Sequence, residues 1–164
     1  MNYIILGIDP GIADTGFGVI KMDDKRNLAC LDYGSIVTSS KAEMPKRLET
    51  LSQKLQETID KYKPDLIAVE DLFFCKNVKT ALTVGQARGV VLVTAQKNDI
   101  KILEFTPLQV KQAVSTYGKA SKTQVQKMVK MLLNLEQIPK PDDAADALAV
   151  GICAVNSCHP NNPN

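Results

Sequence analysis

Four carboxylates are placed to do chemistry in this chain: Asp9 and Glu70, each closing an apolar run, and Asp143 with Asp146, three residues apart at the head of a late apolar stretch. Carboxylate oxygens brought to one point bind hard divalent cations. A pair of such cations can straddle a phosphodiester, activating a water on one side and steadying the leaving oxygen on the other. Neither Cys nor His accompanies the four acids in these motifs, so the donor set suits Mg²⁺ better than zinc, with Mn²⁺ as a substitute. Taken singly, Asp before Pro-Gly is ordinary turn chemistry, and Asp in a first helical turn compensates the helix dipole. Neither explanation accounts for acids that punctuate two apolar strands and recur at one-face spacing on an apolar helix.

The elements that must position these acids follow from the surrounding pattern. Tyr3-Ile4-Ile5-Leu6-Gly7-Ile8-Asp9 is nearly continuously apolar, as a strand buried on both faces is, and Pro10-Gly11 stops it. Pro64-Asp65-Leu66-Ile67-Ala68-Val69-Glu70-Asp71 is a second such run, set off by proline from the helix before it. Parallel neighbours in an open α/β sheet would bring Asp9 and Glu70 together at the carboxyl ends of their strands, where two acids repel unless a cation lies between them. Pro141-Asp142-Asp143-Ala144-Ala145-Asp146-Ala147-Leu148-Ala149-Val150 opens a helix of small and apolar residues able to lie close against a sheet. Asp143 and Asp146 project from one face of it, whereas Asp142 points roughly 100° away and suits a cap.

Around these motifs the pattern predicts strands over 3–9, 15–22 and 28–37 as a meander, then a helix over 45–62 with Leu48, Leu51, Leu55 and Ile59 on one face. The strand ending at Glu70 follows, then a helix over 77–98, a strand over 100–105, and helices over 107–116, 123–133 and 142–155. The fold class is α/β, a five-stranded mixed sheet with helices on both faces.

At 164 residues, 45% hydrophobic and 23% charged, the chain is expected to form one domain over 1–156 with a short polar tail at 157–164. It has neither a secretion signal nor an apolar run of about 18 residues, so the cytoplasm is the expected compartment. Cys30, Cys75, Cys153 and Cys158 are scattered without a CxxC pair, as reduced thiols are. Cys153, Cys158 and His159 imitate a metal cluster, but the helical spacing of Cys153 and the polar end favour core packing and a frayed tail. The net charge of +2 hides an asymmetry: residues 105–140 hold Lys111, Lys119, Lys122, Lys127, Lys130 and Lys140 against Glu136 alone, +5 in all, leaving −3 elsewhere. A positive flank beside an acidic centre suits a polyanionic substrate. Within it Val125, Met128, Val129, Leu132 and Leu133 follow the helical period and leave Lys122, Gln126 and Lys130 on a polar stripe.

Gly7-Ile8-Asp9-Pro10-Gly11, Thr15-Gly16-Phe17-Gly18-Val19-Ile20, the central Glu70, Gly85-Gln86-Ala87-Arg88-Gly89, Gln109-Val110-Lys111-Gln112 and Asp143-Ala144-Ala145-Asp146-Ala147-Leu148-Ala149 together resemble, in order and spacing, the RuvC family of bacterial Holliday junction resolvases. The match covers residues 3–155. The resemblance implies an RNase H-like fold, a homodimer, and Mg²⁺-dependent paired nicking of two opposed strands at a four-way DNA junction in recombination and repair, leaving 5′-phosphate and 3′-hydroxyl ends. It places Asp9, Glu70, Asp143 and Asp146 on the family's metal-binding acids, with two Mg²⁺ per site and Asp9 bridging them, although some relatives carry His at the position of Asp143.

Lys111 and Lys122 match lysines that the family places near its active site, Lys122 being the stronger candidate for the scissile phosphate. Phe73 matches an aromatic position that stacks on an unpaired base at the junction, an interaction worth about 1 to 3 kcal/mol, and Phe74 is the other ring of that pair. Lys76, Arg88 and Lys119 complete the expected DNA contacts. The resemblance also implies a branch-migration helicase complex that delivers the junction. Symmetric cutting of two strands requires a two-fold dimer. The helix over 77–98, whose Ala81, Val84, Gly85, Ala87 and Gly89 permit close approach, either forms that dimer surface or packs on the sheet.

Two other classes fit parts of the sequence. Asp9-Pro10-Gly11 with Thr15-Gly16 also resembles the first phosphate loop of the actin and sugar-kinase ATPases, but those enzymes close two such domains around ATP, and Asp143 and Asp146 have no use there. A junction-binding protein without chemistry would be indifferent to Asp9→Asn. The preferred cleavage sequence is written in no motif, since it depends on a few contacts and on junction deformability.

Overall fold

In the computed structural model the residues described are 2–71, 78–115 and 118–157. β1 (Tyr3–Asp9), β2 (Asp14–Met22) and β3 (Leu28–Val37) form an antiparallel meander. α1 (Met44–Tyr62) leads to β4 (Leu66–Glu70), α2 (Val78–Lys97) leads to β5 (Lys101–Phe105), and α3 (Pro107–Ser115), α4 (Lys122–Leu132) and α5 (Asp142–Ser157) follow. The sheet order is β3-β2-β1-β4-β5, with β4 parallel to both of its neighbours. The elements match the sequence expectation to within a residue or two at each described end. α5 runs through Ser157, one residue into the expected tail, whose remainder lies outside the described residues.

Alternation along the strands assigns the helices to faces. Ile5 of β1 joins Ile20, Leu66 and Ala68 under α3, α4 and α5, while Leu6 and Ile8 join Val19, Ile67 and Val69 under α1 and α2. On the second face α1 contributes Leu51, Leu55 and Ile59, and α2 contributes Ala87, Val91 and Ala95. Each large side chain buried in this way contributes about 1.5–3 kcal/mol relative to exposure, so strands apolar on both sides require helices on both sides.

The expected core of α4 needs two corrections. Gln126, placed by periodicity on a polar stripe, is only 7% exposed, and Leu132, placed in the core, is 42% exposed. The helix is rotated so that Val125, Gln126 and Val129 face inward.

α5 is buried along its length: from Ala144 through Val155 every residue but Asp146 is enclosed. A helix apolar all round belongs inside. Glycine lets it lie against the sheet, since a Cβ on Gly7 would fall on the Ala147 carbonyl, and one on Gly16 would fall on the carbonyl of Asp143. These two close approaches seat the first turns of α5 beside the end of β1. Gly7→Ala is therefore expected to push α5 off the sheet. The obstacle is backbone, so the cost lies at the upper end of the roughly 1–3 kcal/mol range for overpacking, a loss of several degrees in Tm by thermal denaturation. An unchanged Tm would mean that α5 can shift without penalty.

Candidate metal centre

β1 and β4 are paired in parallel with Ile8 opposite Val69, so the residues that follow, Asp9 and Glu70, leave the sheet side by side. Side-chain alternation sends both toward α5, Asp9 in step with Gly7 and Glu70 in step with Ala68. The head of α5 supplies Asp143 and Asp146, and one carboxylate oxygen from each of Asp9, Asp143 and Asp146 lies within 4.8 Å of the others. Glu70 stands beside Asp9 at the end of the neighbouring strand, near enough that the two carboxyls perturb each other. The four acids expected from sequence are thus brought together. Beside them lies a cleft of about 220 Å³ lined by Glu70, Lys111, Lys122 and Asp146, with Pro107, Val110, Val125 and Ala149 as its apolar wall.

The electrostatics are those of a site short of positive charge. Burial, then Glu70, Asp146 and Asp143, push the Asp9 carboxyl up to about 8. Glu70 is raised by burial and then by Asp146, and Asp143 by burial and then by Asp14. Without a cation, burial and mutual repulsion therefore favour a proton on this group near neutral pH. A hard cation fits this donor set. All donors are oxygens, and a six-coordinate ion with ligands at about 2.1 Å spans about 4.2 Å across.

Lys122 is placed by its helix start. Ser121 caps α4, accepting from the Gln124 amide at 3.3 Å while Gln124 Oε1 accepts from the Ser121 amide at 2.7 Å. This Ser-x-x-Gln box sets the first helical residue at Lys122, one earlier than expected, and it was a readable signal. Lys122 Nζ then lies 2.9 Å from Asp146 and 3.7 Å from Asp142, and the Asp146 hydrogen bond raises its pKa above the usual lysine range.

Asp142 does not act as a cap. It lies within the first turn of α5, donor groups from Lys140 at 2.9 Å and from the buried Gln126 engage it, and Lys140 holds its carboxyl below the ordinary range. Asp14, which periodicity did not single out, accepts from Ser35 Oγ at 2.9 Å and lies close enough to raise Asp143.

The remaining candidates divide. Lys111 lines the cleft and favours the ionised form of Glu70. Lys119 borders a separate groove with Ser115, Lys127, Met128 and Met131. Arg88 is paired to Asp71 at 3.3 Å and to Glu104, which leaves its guanidinium engaged within the protein. Phe73, Phe74 and Lys76 lie outside the described residues, as do Cys75, Cys158 and His159. Cys30 and Cys153 are free thiols, Cys153 in the core as expected. No helix among the described residues is long and apolar enough to cross a membrane.

The family model for crossover junction endodeoxyribonuclease RuvC matches residues 5–154. A crossover junction endodeoxyribonuclease RuvC from Halothermothrix orenii is 56% identical over 154 residues, 94% of this chain and 93% of its own. One of the same name from Caldicellulosiruptor saccharolyticus is 54% identical over 153 residues, 93% of this chain and 92% of its own. Among solved structures, Thermus thermophilus RuvC in complex with Holliday junction substrate superposes with a TM-score of 0.85 at 31% identity, covering 94% of each chain. The mixed sheet, the acids on β1, β4 and α5, and this agreement over nearly the full length establish that the chain has the RNase H-like fold and belongs to the RuvC family of crossover junction endodeoxyribonucleases.

Proposed function

We propose that this chain, as a homodimer, resolves four-way DNA junctions by hydrolysing one phosphodiester in each of two opposed strands, with Mg²⁺ held by Asp9, Glu70, Asp143 and Asp146. The observation that carries the reading is the convergence of Asp9, Asp143 and Asp146 oxygens within 4.8 Å beside a cleft lined by Lys111 and Lys122. Its support from relatives is that they bear the name crossover junction endodeoxyribonuclease, and that the Thermus protein is seen with Holliday junction substrate.

When bound, the cations polarise the phosphodiester and make the attacking water more acidic. Water adds to phosphorus and the 3′ oxygen leaves, giving 5′-phosphate and 3′-hydroxyl ends. The protein's part is positioning and charge. Asp9 and Glu70, fixed on adjacent rigid strands, and Asp143 with Asp146, fixed on a buried helix, hold their oxygens in place before substrate arrives. Lys122, which lines the cleft with Lys111, receives a non-bridging oxygen of the scissile phosphate and offsets charge that grows there in the transition state. Lys119, Lys127 and Lys130 hold the flanking backbone. Phe73 stacks on an unpaired base of the junction. A branch-migration helicase complex in the cytoplasm supplies the junction.

The dimer surface we assign to α2. Its Ala87 is committed to the core, but Val78, Leu82 and Val93 recur along its outer face, Leu82 at 66% exposure. Leu82→Asp is expected to convert a species of twice the 17.9 kDa chain mass into single chains in sedimentation, and to convert paired cuts into isolated nicks. Paired cutting by a chain that sediments as a monomer would contradict the assignment.

A further inference from the structure

Behind the acidic centre, on the face of the sheet that α2 covers, Arg88 ties two strands together. Glu70 points toward α5, so its successor Asp71 points the opposite way, and Glu104, in step with Ile102 on β5, points the same way as Asp71. Arg88 Nη2 lies 3.3 Å from Asp71 Oδ1 and also pairs with Glu104 Oε2. The Asp71 amide donates to the Phe105 carbonyl at 2.8 Å, which carries the β4–β5 ladder one residue past Glu70. The Arg88 side chain is 23% exposed, and its Nε is enclosed with no partner among the described residues. A guanidinium that met phosphate would turn its donors outward. This one leaves a donor unbonded in order to reach two carboxylates on different strands, an arrangement suited to holding backbone.

We infer that Arg88 is a positioning residue: it clamps the carboxyl end of β4 from behind, and so fixes both Glu70 beside Asp9 and the direction in which the chain leaves the sheet at Asp71. The inference rests on Glu70 being a metal ligand, as proposed above. Residues that orient a metal ligand without touching the ion typically cost ten- to a hundredfold in metal affinity or activity when removed.

The test titrates Mn²⁺ into the full chain without DNA, with free ion read by electron paramagnetic resonance, for the wild type, Arg88→Met and Glu104→Gln. Junction affinity is measured in EDTA alongside. Arg88→Met is expected to weaken Mn²⁺ binding about tenfold or more, to leave junction affinity as in the wild type, and to regain cleavage as Mg²⁺ is raised. Glu104→Gln, which keeps the Asp71 pair, moves the Mn²⁺ affinity in the same direction by less, and it decides the matter alone if Arg88→Met does not fold. Unchanged Mn²⁺ affinity overturns the inference, whether or not Tm falls. Lost junction affinity with normal Mn²⁺ binding overturns it in favour of a phosphate contact. If the wild type binds Mn²⁺ but cuts no junction, the proposed function fails while the Arg88 measurement stands.

Discussion

Asp9→Asn is expected to abolish cleavage while leaving junction binding intact or stronger. Asp9 stands at the centre of the group: its oxygen lies within 4.8 Å of those of Asp143 and Asp146, and it ends the strand paired beside that of Glu70. An amide at this position offers a single neutral oxygen where a carboxylate can share two. Metal assistance is worth several kcal/mol in the transition state, and each 1.36 kcal/mol is a factor of ten, so single-turnover cleavage falls by about a thousandfold or more. Binding follows a different rule. Near neutral pH without metal the group already holds a proton, so affinity measured by fluorescence anisotropy is kept there, and it rises relative to the wild type only above pH about 8, where Asp9 would carry its full charge. A rate within tenfold of the wild type would remove Asp9 from the chemistry.

Lys122→Met is expected to have the second largest effect, with the opposite division between rate and affinity from that of an ordinary phosphate contact. The Lys122 ammonium lies 2.9 Å from Asp146 and lines the cleft proposed to receive the substrate phosphate. A preorganised cation at that point acts on charge that develops during reaction, and removing one such donor costs about a hundred- to a thousandfold in turnover. Its share of binding is one contact among many, so the slope of log affinity against log salt falls by about one and no more. Arg at 122 keeps the charge but spreads it over a planar fork, and recovers only part of the rate. An equal loss in affinity and rate would make Lys122 an anchor for the backbone and leave the transition-state charge to other groups.

Much of this site was legible because the residues that build it obey local rules. Asp9 and Glu70 end apolar runs that only buried strands explain, and Asp143 and Asp146 share a face on a helix of small residues, so three separate segments pointed to one place. The strand and helix limits came from the same signals, Pro10-Gly11 after β1 and Pro64 before β4. What escaped depends on partners distant in sequence. Nothing in a single helix says that Gln126 turns inward to reach Asp142, or that Asp142 is taken by Lys140 in place of a cap. Arg88 reads as a cation available to DNA until the sheet register puts Asp71 and Glu104 on its side. The exposure of Leu132 follows from α4 turning Val125, Gln126, Val129 and Leu133 inward, and the hydrophobic period alone leaves that rotation open.

Junction resolution is tested by incubating the purified chain with an end-labelled four-way junction and with the matching linear duplex, each in Mg²⁺ and in EDTA, and mapping every cut to the nucleotide. The expected result is paired nicks at symmetric positions on two opposed junction strands, with ligatable 5′-phosphate ends, only in Mg²⁺, and an intact duplex. Junction bound but uncut in Mg²⁺ and Mn²⁺ across several sequences, or duplex cut as readily as junction, would contradict it.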